Sequence, residues 1–290
     1  MSSSVTPQDT ESSQLVPSVY IPPEIFLSIV EGAVELAEHD AFTDVMQWEL
    51  GALNGINASH RLVLNPLWYE TLHRYRARCL KRFELLRTLT RVSRQARMMI
   101  HQRFPRIEQS LQMAGSRPCF SLTWICPRFD VFVLRMDLGN THLQEALLNP
   151  LVMVPDLPLI NSVQIAAFQY MWGLLEMTPR HVEAVLRFPN LRILTTYSVR
   201  FRQPSSDGPP PMGTVLPIEV SLFPILKSWV AVEGHSLNDL CNLWGPLWGR
   251  GIRVMVSEYN RNSQYHPAVE FLGTREGLRM RFVDRDYVYF

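Results

Sequence analysis

Charge in this chain is segregated, and that segregation limits which segments can end up side by side. Residues 1–50 hold nine carboxylates (Asp9, Glu11, Glu24, Glu31, Glu35, Glu38, Asp40, Asp44 and Glu49) and no lysine or arginine. Residues 70–106 hold eleven lysines and arginines against Glu70 and Glu84. Like charges crowded on one segment repel, and a fold that brings the two blocks together relieves both. The formal net charge of the 290-residue chain is only +1, so there is no overall pull toward a polyanion. The stretch RTLTRVSRQARMMIHQRFPR, residues 87–106, contains no acid. The reading that explains both blocks at once makes it an internal clamp on the acidic leader.

The alternative is an outward-facing anion site. Arg87, Arg91, Arg94 and Arg97 follow i, i+4, i+7 and i+10 spacing, which aligns them on one helical face suited to phosphates. Against it, nucleic-acid surfaces are generally left uncompensated, so that released counterions drive binding. Lys81 is the single lysine of the region, and the planar fork of arginine is equally suited to holding carboxylates in two-point geometry. Nucleic acid is therefore not the expected partner.

Periodicity supplies the elements. IPPEIFLSIVEGAVELAEH opens on two prolines, as a helix start does, and puts Phe26, Ile29, Val30, Ala33 and Ala37 on one stripe. A long basic helix is expected from about Leu67 to Phe104, with Leu85, Leu89, Val92, Ala96 and Met99 as its buried seam and Pro105 as its stop. The segment LGALNGINASHRLVLNP between them reads as loop. CFSLTWI and VFVLRM read as the two arms of a hairpin with Pro127 at its turn. SVQIAAF, then a helix capped by Thr178 and Pro179, then NLRILTTYSV predicts a parallel crossover unit. After QPSSDGPPPMGTVLP, a loop by composition, SLNDLCNLW reads as a helix and IRVMVSEY and LRMRFVDRDYVYF as strands.

The expected fold is α+β: N-terminal helices packed on a mixed β-sheet with a hairpin and at least one βαβ crossover. The expected organisation is a disordered leader over 1–18, an α+β core over 19–202, a Pro-rich loop or linker over 203–217, and a C-terminal α+β extension over 218–290 packed on the core. With 47% hydrophobic residues the chain can bury a sizeable core.

No basic and apolar leader marks the chain for secretion, and LLNPLVMVPDLPLI, its longest nearly uncharged apolar run, is too short and too proline-broken to span a bilayer. Cys79, Cys119, Cys126 and Cys241 are scattered without a C-x-x-C, as reduced thiols are. An intracellular protein, in cytoplasm or nucleus and without membrane partner, is expected.

Pro22-Pro23-Glu24-Ile25, Arg94-Gln95-Ala96-Arg97, Phe104-Pro105 and Cys126-Pro127-Arg128-Phe129-Asp130-Val131 occur in that order. The succession resembles the fungal two-EXR domain family over about residues 20–200, with AAFQYMW and FPNLRIL similar to its later segments. The resemblance implies an α+β fold, fungal origin and no established catalytic activity. Both name-giving motifs depart from the pattern: Phe26 replaces the arginine of the first, and Gln95-Ala96-Arg97 lacks the glutamate of the second. If the two motifs cross in space, one ion pair is deleted and Glu24 is left to pair with Arg97; drift of both positions on a solvated surface is the alternative.

IPPEIFLSIV followed by LTRVSRQARMMI is also similar to the first two helices of an F-box, although some fifty residues intervene. That resemblance implies a ubiquitin-ligase substrate adaptor in which Ile21, Pro22, Ile25 and Ile29 face a Skp-type adaptor protein. The same residues otherwise bury the helix in its own domain.

Catalytic signals are sparse. Glu35, His39 and Asp40 form a partial metal-ligand pattern with no second convergent pair, and Cys119 and Cys126 have no histidine nearby in sequence. GPLWGRG lacks the ending of a phosphate loop, and neither G-x-S-x-G nor H-E-x-x-H occurs. Asp130 reads as the side-chain cap of the Pro127 turn rather than a base. Trp124, Trp172, Trp229, Trp244 and Trp248 belong to the core or to a recognition surface, the pair Trp244 and Trp248 being the sharper candidate for the latter. The expectation is thus a non-enzymatic protein without cofactor that binds an unidentified protein partner.

Overall fold

The computed structural model describes residues 21–54, 60–66, 72–111, 119–136, 142–149, 156–196, 212–218, 220–257 and 268–284. The expected leader over 1–18 lies outside them.

Helix α1 (Pro23–Thr43) starts at Pro23, whose missing N–H costs nothing in the first turn, with Glu24 beside the positive end of the helix dipole. Its buried stripe is Val30, Val34, Ala37 and Ala41, with Phe26 half-buried beside it. This stripe is rotated by part of a turn from the expected one, for Ile29 is exposed. Burying Val30 and Val34 contributes about 1.5–3 kcal/mol each. They pack on α2 (Leu72–Val92) and α3 (Arg94–Arg103) in a cluster with Leu86, Ala96, Ile100, Phe104, Trp124 and Phe129.

The long basic helix is broken in two. Ser93 takes an extended conformation (φ −151°, ψ 162°), and its side chain accepts from the Ala96 N–H at 3.0 Å as the N-cap of α3. A serine that can satisfy an orphan N–H stops one helix and starts the next, here directly after the β-branched Val92. Val92 is accordingly exposed rather than part of the seam.

Among the described residues the sheet has eleven strands: β1 (Gln47–Asn54), β2 (His60–Pro66), β3 (Arg106–Leu111), β4 (Cys119–Trp124), β5 (Val131–Leu134), β6 (Ile165–Phe168), β7 (Ile193–Thr196), β8 (Val215–Pro217), β9 (Arg253–Ser257), β10 (Ala268–Thr274) and β11 (Gly277–Val283). Their spatial order is β4-β3-β2-β1-β5-β6-β7-β9-β10-β11-β8. The centre, β1-β5-β6-β7-β9, is parallel throughout, and its outer flanks are antiparallel apart from the β2–β3 pair. The mixed sheet with helices packed against it is an α+β fold, as expected.

Two expectations fail. The described parts of LGALNGINASHRLVLNP, 50–54 and 60–66, are not loop: they supply most of β1 and β2, an antiparallel pair running from Trp48↔Pro66 to Asn54↔His60. CFSLTWI and VFVLRM do not pair as a hairpin either, because β4 and β5 are separated by β3, β2 and β1. The Pro127 turn itself forms, with the Phe129 N–H donating to the Cys126 carbonyl at 3.0 Å. The chain leaving this turn enters the sheet beside β1 rather than β4.

The crossover unit is present: β6 and β7 pair in parallel, joined through α6 (Met171–Leu175) and α7 (Pro179–Val185). Thr178 caps α7 from its side chain, and the His181 ring accepts in return from the Thr178 N–H. Within the stretch read as a Pro-rich loop, 203–211 lie outside the described residues and Val215–Pro217 forms the edge strand β8. α4 (His142–Leu148), α5 (Leu157–Ser162), α8 (Pro224–Glu233) and α9 (Leu237–Gly249, capped by Ser236) complete the helices described. The main core runs from Met46 and Trp48 to Phe271 and Phe282, so residues on both sides of 203–217 share one apolar cluster. A smaller cluster on the opposite face, including Val133, Ile165, Ile193 and Met255, leaves the central strands apolar on both sides, as parallel strands require.

Candidate functional site

The acidic leader and basic segment do meet, through particular residues. On α1, Asp40 pairs with Lys81 (3.0 Å), and just past its end Asp44 pairs with Arg78 (2.8 Å). Glu38 pairs with Arg103 (2.9 Å) and lies 4.0 Å from Arg128, and Glu31 reaches Arg103 at 3.9 Å. Of the stretch 87–106 only Arg103 takes part among the described residues. The clamp lies instead on the first half of α2 and the end of α3.

Behind it is a buried hub. Arg82 Nη1 donates to Asp130 Oδ2 at 2.6 Å and to the Trp124 carbonyl at 3.1 Å, while Nη2 donates to Asp130 Oδ1 at 2.9 Å. Trp48 Nε1 (3.0 Å) and the Cys126 N–H (2.8 Å) donate to Asp130 Oδ2 as well. Burial alone would lower the Arg82 pKa, but the Asp130 carboxylate reverses this and raises it. Asp130 thus caps the Pro127 turn and anchors α2, accepting from four donors.

Arg87, Arg91, Arg94 and Arg97 are exposed. The break at Ser93 divides them between two helices, so the single face expected from their spacing does not exist. The Arg87 guanidinium lies 5.3 Å from the Phe83 ring centre, and Arg97 Nε donates to the Thr90 carbonyl at 3.1 Å. Glu24 and Arg97 form no ion pair among the described residues: Glu24 stays in the exposed first turn of α1, and Arg97 turns back onto the end of α2.

The outer face of α1 is unexpectedly apolar. Ile21, Ile25, Ile29 and Leu36 are 48%, 55%, 56% and 57% exposed. In a 3.6-residue helix, 25, 29, 32 and 36 fall on one stripe, with Gly32 flat between the isoleucines and the leucine. Glu24, Glu31 and Glu35 run along one side of it. Ile21, Pro22, Ile25 and Ile29 are the four positions singled out by the F-box resemblance, and all four are exposed.

The remaining candidates resolve into structure. Glu35 and His39 are exposed, and among the described residues no group of three or more His, Cys, Asp or Glu side chains is placed to hold a metal. The side chain of Cys119 lies outside the described residues. Cys126 is buried, and desolvation with the nearby Asp130 carboxylate pushes its thiol up to about 12. Trp124, Trp229 and Trp244 are buried, Trp172 and Trp248 half-buried; Trp244 and Trp248 meet edge to face at 6.1 Å inside the core. A recognition surface of tryptophans is not formed by this pair.

Two surface cavities stand out. One, of about 200 Å³, is lined by Arg61, Arg106, Glu108 and Asp156 among others, and its charges neutralise one another: Arg61 pairs with Glu108 at 2.5 Å and approaches Asp156 at 3.9 Å. Burial raises the Asp156 carboxyl pKa, opposed by the Leu62 N–H that it accepts. The other, of about 330 Å³, lies between α2 and β4 and is lined mainly by apolar groups, including Leu80, Phe83 and Leu122. Neither is legible in the sequence, since both depend on the order of strands β2, β3 and β4. Among the described residues no helix is long and apolar enough to cross a membrane. Comparison with protein-family models, with curated proteins and with solved structures finds no match for the chain.

Proposed function

We propose that this chain acts by binding another protein rather than by catalysis, and that the outer ridge of α1 is the contact. The observation that carries this is the exposed stripe Ile21, Ile25, Ile29 and Leu36. The opposite face of the same helix already supplies Val30, Val34, Ala37 and Ala41 to the domain, whereas among the described residues the outer stripe stays about half exposed. A continuous apolar surface of this kind on a helix with a buried inner face is what helix-in-groove recognition uses. The carboxylates along its flank specify the partner: an apolar groove rimmed by lysine or arginine. The succession of motifs from Pro22 to Val131 supports a two-EXR-like interaction module.

The second reading is an F-box-like adaptor, favoured by the exposure of all four residues that such a helix would offer to a Skp-type protein. An Ile25→Glu/Ile29→Glu variant tests both. Both substitutions fall on exposed positions, so the thermal midpoint should stay within a few degrees. Affinity purification with mass spectrometry should show partners captured by the wild type and lost in the variant. Binding of a purified Skp-type adaptor to the wild type alone selects the second reading; identical captures for both proteins refute the ridge.

A further inference from the structure

Among the described residues β4 is an edge strand of the sheet, and the register shows which of its backbone groups are unspent on β3. The Ile125 N–H donates to the Pro105 carbonyl at 3.1 Å, which makes Trp124↔Arg106 a non-hydrogen-bonded pair of the antiparallel β3–β4 ladder. Residues 121 and 123 therefore spend their N–H and C=O on β3, and Leu122 turns both of its groups outward. The outward carbonyl of Trp124 is taken by Arg82, and no described strand pairs with β4 on that side.

Helix α2 runs alongside this edge in the same direction. Tyr75 donates to Gln109, which donates to Ser121 at 2.8 Å, and Arg82 donates to the Trp124 carbonyl at 3.1 Å. Between helix and strand lies the cavity of about 330 Å³, walled by Leu80, Phe83 and Leu122. Leu80 and Leu122 are 54% and 53% exposed. Its volume is at the lower end for ligand cavities and fits one or two side chains. Arg76 borders it, and Arg87 lies beyond Phe83 on the same helical face; neither pairs with a carboxylate among the described residues. Eleven helical residues separate them by about 16 Å, the span of roughly five residues of extended chain.

We propose that the open edge of β4 and the cleft beneath α2 take up an extended segment of another protein, an apolar residue flanked by acidic ones, by strand addition. Main-chain bonds to Leu122 would supply affinity, the cavity would take the apolar side chain, and Arg76 and Arg87 would read carboxylates about five residues apart. This site is separate from the α1 ridge, although it deepens the reading of the chain as an interaction protein.

The probe is a displayed library of random decapeptides selected against the full chain and counter-selected against an Arg76→Glu/Arg87→Glu variant. The expected result is enrichment of alternating apolar and acidic residues. Binding of the consensus peptide should weaken at least tenfold in the charge-reversed variant and in Leu80→Asp, remain unchanged in Ile25→Glu/Ile29→Glu, and slow backbone amide exchange in β4. The unchanged binding of the Ile25→Glu/Ile29→Glu variant separates failure here from failure of the ridge. Enrichment of basic peptides, no enrichment, protection confined to other strands, or tighter binding of single-stranded DNA than of any peptide would overturn the proposal. So would a dimer that Leu80→Asp dissolves, which would make β4 an interface between copies of this chain.

Discussion

Arg82 and Asp130 meet in two-point geometry, Nη1 on Oδ2 at 2.6 Å and Nη2 on Oδ1 at 2.9 Å, with 9% of the arginine side chain and none of the aspartate exposed. The pair joins the middle of α2 to the turn that enters β5. Removing one partner leaves a buried charge without its counter-ion, whereas removing both replaces a costly pair by apolar contact. Asp130→Ala should therefore cost about 3–5 kcal/mol in urea denaturation. Arg82→Met/Asp130→Leu should cost much less than the sum of its single substitutions.

The exposed arginines should behave in the opposite way. Arg91→Ala/Arg94→Ala removes no ion pair found among the described residues, and Arg94 is a cation in the first turn of α3, where the helix dipole disfavours it. Its denaturation midpoint should correspond to a change within about 0.5 kcal/mol per site. A larger loss would mean that these side chains serve the fold after all.

Glu270 lies buried across three strands, bonded by Arg253 Nε (3.0 Å) and Nη2 (3.1 Å) and by Arg281 Nη2 (2.6 Å). Burial alone would raise its pKa; the two guanidinium groups overcome that and lower it. A carboxylate with a depressed folded pKa stabilises above its unfolded value, near 4.5, and that contribution disappears as the pH falls through the folded value. Glu270→Gln should cost about 3–5 kcal/mol at pH 7. The gap between variant and wild type should close as the pH is taken from 7 through 4.5 and below.

The Cys126 thiol, buried and pushed up to about 12, should be almost wholly protonated at pH 8. Site-resolved mass spectrometry after alkylation should find it unmodified in the native protein and modified in 6 M guanidinium. Labelling without denaturant would show that the turn beside Asp130 opens readily.

Gly273 on β10 faces the Trp248 ring so closely that an added Cβ would come within 2.4 Å of it. Gly273→Ala must displace a ring wedged between α9 and the sheet, and should lower stability by about 1–3 kcal/mol. Near-ultraviolet circular dichroism should report the altered setting of Trp248 and Trp244.

Local signals were the legible ones. Thr178 before Pro179, Ser236 before Leu237, and Asp130 four residues after Cys126 all act as their residue types dictate, because a cap or turn is decided within a few residues. Pairing was not legible. β5 lies beside β1, some eighty residues earlier, and nothing in VFVL distinguishes that neighbour from CFSLTW. β1 and β2 did carry a signal, Asn54-Gly55 between apolar runs, which marks a hairpin. The split at Ser93 was masked because the spacing of arginines (Arg87, Arg91, Arg94, Arg97) and of apolar residues (Leu85, Leu89, Val92, Ala96, Met99) continues across it. Arg82 could not be chosen from eleven cations, since its role comes from Trp48 on β1 and Asp130 in the turn before β5 arriving from elsewhere in the chain.

The strand order also sets a timetable. β6 and β7 are each laid beside the strand made just before them, but β7 keeps an uncapped side until Arg253–Ser257 leaves the ribosome and docks. A nascent chain paused between them would present Ile193–Thr196 as a temporary template for foreign strands, so the helices α8 and α9, made in that interval, are the elements whose slow synthesis would expose this protein to misassembly.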